Sequence, residues 1–376
     1  MTNSRDRASG RRLRVVIAAC LITIAAGVLP AAGVVEEAPT RTVTDALGRV
    51  VAIPTDPARI VIAGRAVMMT ANALYMFPGA SDRIVGIGRI DQGKGNFLPA
   101  IDRTYGSKAV LEQNVGAEQV AGLSPDLVIL KSMMKESLGD GLERLGVPVV
   151  YIDLETPEQY QRDLRLLGQI VGQTQRGEEL AQFYAEQTER VRAEVARVTG
   201  GGDGSGGAAP RTLFLYANVS GGQTVFNIPP VGWIQTSLVE MAGGAPVWVD
   251  ENRGGGWRSI GVEQIAAWNP QVITLVAYRQ DVVAIRDSLL ARELWSTLDA
   301  VRSVSFHVFP LDYYSWDQPD IRWILGLHWL ARTLHPGAFA DKPMADLVYS
   351  FFDFAYGMRR DQVDAVIGGV LEGIEL

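Results

Sequence analysis

The chain has 376 residues, of which 47% are hydrophobic and 20% charged, and its formal net charge is −7. That length and apolar content suffice for about two packed domains and exclude a disordered acidic chain or a coiled coil. The mild acidity leaves no basic footprint for nucleic acid.

The first fourteen residues carry Arg5, Arg7, Arg11, Arg12 and Arg14 against a single acid, Asp6. Val15 to Leu29 is free of charge, and the small residues Ala31, Ala32 and Gly33 follow. Basic, apolar and small segments in that order read as a secretory signal. Residues 1–33 are therefore expected to be a signal peptide or an N-terminal anchor, with the mature body beginning near Val34 outside the cytoplasmic membrane. The apolar run falls short of the roughly 20 residues that a spanning helix needs, which favours cleavage over anchoring. Arg11-Arg12 resembles a twin-arginine signal, although Leu13-Arg14 departs from its usual continuation. Ile17-Ala18-Ala19-Cys20 resembles a lipoprotein box, but the apolar stretch ahead of Cys20 is short for one. Cys20 is the only cysteine, so the mature body has neither disulfide nor thiolate chemistry.

From Arg41 onward, short β-branched runs alternate with helical stretches. Strands are expected at Arg59–Ile62, Asp82–Ile87, Leu127–Leu130 and Val147–Tyr151, and again at Arg211–Tyr216, Gln271–Ala277 and Val304–Pro310. Continuous apolar strands between helices predict parallel sheets covered on both faces. The fold class is thus α/β, in two lobes: an N-terminal lobe over 41–173 and a C-terminal lobe over 211–340. Between them, Leu180, Phe183, Tyr184, Val191, Val195 and Val198 recur at helical spacing, with Thr174 placed to cap. This predicts one long linking helix over 174–199, then a Gly-rich surface loop over 200–210. Residues 341–376 form a C-terminal helical extension.

An internal repeat supports two related lobes. Residues 118–130 read EQVAGLSPDLVIL and residues 263–275 read EQIAAWNPQVITL. Each copy predicts a short helix, a Pro turn and a buried strand, with identical spacing from Glu to Pro.

Several chemistries find no support. His307, His328 and His335 do not fall at metal-ligand spacing, so no metal site is assigned. His328 lies on an apolar helix beside Trp323, Leu327 and Leu330 and reads as a helix residue. There is no phosphate-cradling Gly-x-x-x-x-Gly-Lys-Ser/Thr run and no Gly-x-Ser-x-Gly nucleophile elbow. No catalytic residue and no cofactor are assigned.

Thr44-Asp45-Ala46-Leu47-Gly48-Arg49, then Ile53-Pro54 and Pro57-Ala58-Arg59-Ile60-Val61, open the body. The two Glu-to-Pro units follow. Tyr314-Ser315-Trp316-Asp317, Ile324-Leu325-Gly326-Leu327 and Leu334-His335-Pro336 close it. In this order they resemble the substrate-binding proteins of ABC importers for iron–siderophore, haem and cobalamin-type ligands. The resemblance implies two Rossmann-like lobes joined by one long helix, a ligand in the cleft between them, and little lobe motion on binding. It implies partners as well: an ABC permease dimer with its ATPase, which one Glu on each lobe contacts. The matching residues are Glu118 and Glu263.

Ligands of open α/β sheets lie at the carboxyl ends of the strands. That rule nominates Arg65, Arg89 and Lys131 in the first lobe and Tyr216, Trp257, Arg258, Tyr278, Tyr314 and Trp316 in the second. Arg with Tyr and Trp suits a bulky anionic or planar ligand held by charge-assisted hydrogen bonds and stacking. Arg65 and Arg258 are expected to face one cleft from opposite lobes, with Trp257 and Tyr314 nearby. The function expected is delivery of a small chelate to an importer. A molybdate- or tungstate-type oxyanion is the nearest alternative, and an enzyme or sensor on the same architecture a more distant one.

Overall fold

The computed structural model describes residues 39–90, 94–200, 208–339 and 343–376. The expected signal segment and most of the Gly-rich loop lie outside the described residues. The account below concerns Pro39–Leu376, one compact unit.

An antiparallel hairpin of β1 (Thr40–Thr44) and β2 (Val50–Pro54) opens the unit. The first lobe is a parallel sheet of β3 (Ile60–Ile62), β4 (Ile84–Gly88), β5 (Ala109–Leu111), β6 (Leu127–Lys131) and β7 (Val149–Ile152). Its order is β5-β4-β3-β6-β7. Ile60, Val61 and Ile62 are each at most 1% exposed, as a central strand covered on both faces must be. The order reverses direction between β3 and β6, the switch point where such sheets open a crevice.

The second lobe contains β8 (Arg211–Ser220), β9 (Gln223–Ile228), β10 (Ala245–Pro246), β11 (Arg258–Ile260), β12 (Val272–Val276) and β13 (Phe306–Val308). The order is β11-β9-β8-β12-β13, with β10 beside β8. β8, β10, β12 and β13 pair in parallel, whereas β9 and β11 are antiparallel additions. The strand expected at Arg211–Tyr216 runs on to Ser220 because Gly221 and Gly222, both at positive φ, turn it back as a hairpin.

The repeat recurs in space. Glu118 is the second residue of helix Ala117–Ala121, and Glu263 the second of helix Val262–Trp268. Ser124 and Asn269 both turn left-handed before their prolines, and Asp126 and Gln271 donate backbone N–H groups to Arg59 and Arg211 at 3.0 and 2.8 Å. Each unit thereby places its strand, β6 or β12, in parallel beside the first parallel strand of its lobe, β3 or β8.

The helix Thr174–Val198 links the lobes. Its buried stripe of Leu180, Tyr184, Val191 and Val195 has the helical period read from the sequence. Thr174 is the first helical residue and does not cap; the preceding Gln173 sends its side-chain amide to Pro78 O at 2.8 Å. Tyr184 donates to Ile321 O at 2.6 Å and stacks on Trp323, which seats the helix Trp323–Leu334 against it. His328 on that helix is buried, with Nε2 3.0 Å from Gln187 Oε1.

The extension consists of helices Met344–Tyr356 and Arg360–Ile367 and a tail. It touches both lobes. Phe354 stacks on Phe183 with centroids 4.4 Å apart, and its carbonyl accepts from Arg176 at 2.5 Å. Tyr356 donates to Asn72 O at 3.1 Å, while Val366 O accepts from Tyr313 at 3.2 Å.

Candidate functional site

Two cavities lie at the carboxyl ends of the sheets. The first, about 680 Å³, is walled wholly by the first lobe, including Arg65, Arg89, Glu112, Met133 and Met134. It sits at the switch point: Arg65 follows β3 and the methionines follow β6. Gly64 makes the turn possible, because its φ is +86° and a side chain there would meet Met134 Cγ at 2.9 Å. Arg65 is exposed and, among the described residues, has no carboxylate partner. Arg89 is paired with Glu112 at 2.5 Å.

Lys131 does not line this cavity. It is 2% exposed, paired with Glu155 at 2.5 Å, and it also donates to Asp153 O. A desolvated ammonium needs such partners, and β7's following loop supplies them, so the residue closes the sheet instead of facing a ligand.

The second cavity, about 250 Å³, lies at the ends of β12 and β13 and includes Tyr278, Arg279, Leu311, Ser315, Lys94 and Glu372. Lys94 comes from the first lobe and Glu372 from the C-terminal tail. Beside it stands a wall of half-buried rings. The Tyr216 and Tyr278 centroids are 4.8 Å apart, Tyr216 and Trp257 5.1 Å, and Trp233 meets Trp257 edge-on at 5.4 Å. Four chain segments supply these rings at the second lobe's switch point between β8 and β12.

Below the wall is a carboxyl group that strand-end reasoning did not nominate. Asp317 has no exposed surface and accepts from Tyr278 at 2.7 Å, Gln235 at 3.2 Å and Ser315. Burial pushes its pKa up, against the opposing pull of those donors. The Tyr278 hydroxyl is held well above its ordinary value, by burial first and by the neighbouring Asp317 second.

Besides Lys131, the structure places three nominated residues away from both cavities. Tyr314 and Trp316 are completely buried and line neither cavity. The segment that carries them is buried along nearly its whole length, so both rings enter the core. Tyr314 donates to Asn96 Oδ1 at 3.1 Å and accepts from Phe97 N–H at 3.2 Å, tying the lobes together, while Trp316 donates to Asp312 at 3.3 Å. Arg258 does not leave a parallel strand at all. It begins the antiparallel edge strand β11, where its guanidinium meets the Glu251 carboxylate at 3.4 Å and the Glu251 carbonyl. Trp257, one residue earlier, does join the ring wall. Arg65 and Arg258 are not brought into either cavity together.

The lobes are also welded by Arg322. This residue is fully buried, 2.7 Å from Asp312 and 2.9 Å from Asp320, and lies against the rings of Phe97, Tyr314 and Phe352. Asp320 also accepts from Asn72 at 2.5 Å. A visible signal was present: four charged residues, Asp312, Asp317, Asp320 and Arg322, in a short segment that also carries three aromatic residues.

Glu118 and Glu263 are both exposed at the first turns of their helices. Among the described residues no group of three His, Cys, Asp or Glu side chains could hold a metal ion, and no helix is long and apolar enough to cross a membrane.

A family model described as periplasmic binding protein matches residues 60–310. The molybdate-binding protein MolA of Haemophilus influenzae is 22% identical, over 84% of this chain and 91% of its own. A vitamin B12-binding protein of Salmonella typhimurium is 25% identical, over 59% and 74% respectively. A periplasmic solute-binding protein from Veillonella parvula has the same fold, with a TM-score of 0.69 at 22% identity, covering 88% of this chain and 98% of that one.

Proposed function

We propose that this chain, which belongs to the periplasmic binding protein family, captures a bulky anion-bearing metal chelate of the siderophore, haem or cobalamin kind. It then presents that ligand to an ABC permease dimer and its ATPase. The observation that carries the reading is the ring wall of Tyr216, Trp257 and Tyr278 beside a cavity that contains Lys94 and Arg279. Flat apolar faces take up a planar ligand body, and the cations meet its anionic groups. Arg65, across the switch point of the first lobe, supplies a third cation suited to bidentate contact. The role is carriage, not catalysis. Glu118 and Glu263 are the docking acids, one on each lobe, placed by the repeat for a pseudo-twofold partner.

A second reading, import of an oxyanion such as molybdate or tungstate, is favoured by the likeness to MolA along most of both chains. Protein purified from its own exporting cells decides between them by native mass spectrometry and absorption spectroscopy. A co-purifying chelate supports the first reading and a molybdate or tungstate adduct the second. Protein that carries no small molecule and fails to stimulate its permease–ATPase overturns both.

A further inference from the structure

The C-terminal tail places a carboxylate inside the second cavity. Leu311, just after β13, and Glu372 exchange backbone hydrogen bonds, at 3.2 Å toward the Glu372 carbonyl and 2.8 Å toward the Leu311 carbonyl. The tail can lie this close because Gly373 has a φ of +85°, and a side chain there would meet Pro310 Cα at 3.0 Å. So anchored, Glu372 forms an ion pair with Lys94, 278 residues away in sequence. Lys94 is fixed independently: its N–H donates to Tyr313 O at 3.3 Å, next to the Asn96 and Phe97 contacts of Tyr314. The two charged side chains remain 36% and 27% exposed.

From this arrangement we infer that Lys94 is the centre of an anion subsite in the cavity, and that Glu372 fills it as a built-in competitor until an anionic group of the ligand takes its place. The inference rests on the reading of these sheet ends as the ligand site. Three observations carry it. Lys94 and Glu372 both line the cavity that Tyr278 and Arg279 also line, so the pair borders the candidate binding space. A half-exposed Lys–Glu pair is weak and screened by salt, so a small dianion or a chelate carboxylate can replace it at little cost. The backbone of Lys94 is held by a contact that does not involve Glu372, so the residue keeps its place at the cavity when the tail carboxylate leaves. The ligand class selected is a small oxyanion, or a chelate with a protruding carboxylate or similar acidic group.

Calorimetric titration with sodium molybdate as the anion probe tests this on four full-length proteins: wild type, Glu372→Gln, Lys94→Gln and the double variant. Glu372→Gln keeps the side chain's size and removes its charge. It is expected to bind molybdate about fivefold more tightly than wild type, the gain that release of an exposed ion pair allows. Lys94→Gln is expected to weaken binding, and in that background Glu372→Gln should bring no gain. Hydrogen exchange at the Glu372 amide should speed up when molybdate is added to wild type, which a purely structural tail contact would not show. Equal affinity of wild type and Glu372→Gln overturns the competitor role and leaves the ligand-site reading standing. Unchanged affinity in Lys94→Gln, or no molybdate binding by any of the four, overturns the subsite. The transport reading fails separately, on native protein that carries no small molecule and fails to stimulate its permease–ATPase.

Discussion

The Tyr278 hydroxyl lies 2.7 Å from Asp317 Oδ2, joining a ring of the cavity wall to a carboxyl group without exposed surface. The wall's position is thus set from beneath, by a hydrogen bond that no ligand has to make. Tyr278→Phe is expected to lower stability by about 1 kcal/mol, the usual worth of one such bond, while loosening the ring wall. Urea unfolding gives the first effect and tryptophan fluorescence of Trp257 and Trp233 the second. Unchanged fluorescence would mean that packing alone positions the rings.

The same carboxyl group predicts a pH dependence. Burial raises the Asp317 pKa in the folded protein, so folding favours its neutral form. The resulting contribution to stability is fully present below the unfolded carboxyl value of about 3.9 and is lost as pH rises through the higher folded value. The wild-type minus Asp317→Asn difference in urea stability should follow that sign. The Asn variant should gain relative to wild type as pH rises. Parallel curves for the two proteins at all pH values would refute the assignment.

Arg322 with Asp312 and Asp320 is a buried ionic weld. Arg322→Met leaves two buried carboxylates facing one another without a cation and should destabilise by about 3–5 kcal/mol. Adding Asp312→Asn and Asp320→Asn to that variant should restore part of the loss, because the penalty comes from uncompensated charge. If the triple variant is no more stable than Arg322→Met, the loss is one of shape and not of charge.

Arg65 and Arg258 should behave unequally. Arg65 lines the first-lobe cavity, whereas Glu251 already engages Arg258 on its edge strand. With the ligand identified, Arg65→Ala is expected to weaken binding at least about tenfold, the effect of losing about 1.4 kcal/mol of a charge-assisted contact. Arg258→Ala should change it less than about threefold. A calorimetric ranking in the opposite order would move the anion contact to the second lobe's edge.

Docking is tested away from the ligand. Glu118→Arg combined with Glu263→Arg should abolish uptake and permease-stimulated ATP hydrolysis while leaving ligand affinity intact. Exposed substitutions of this kind shift stability within about 0.5 kcal/mol, so misfolding would not account for the loss. Normal uptake by the double variant would remove both residues from the partner surface.

The α/β character, the seven longest-read strands and the linking helix were legible along the chain. Runs such as Leu127–Leu130 carry their own period and length, and the stripe Leu180, Tyr184, Val191, Val195 is helical wherever it sits. The repeat, too, is a local pattern found twice. The antiparallel strands β9 and β11 were not legible, because their half-exposed residues lack a continuous apolar run and the hairpin is made by two glycines. The site divided in the same way. The positions of Arg65 and Tyr278, just after β3 and β12, could be read from strand ends, since a strand delivers its next residue to one known edge. Whether an aromatic such as Tyr314 or Trp316 stands in a wall or in the core depends on what a distant helix covers. Whether Lys94 faces Glu372, or Arg322 faces Asp312 and Asp320, depends on where separate segments meet. Period and spacing record how one segment turns; they hold no record of which other segment arrives, and that was decided only when both lobes and the C-terminal extension packed together.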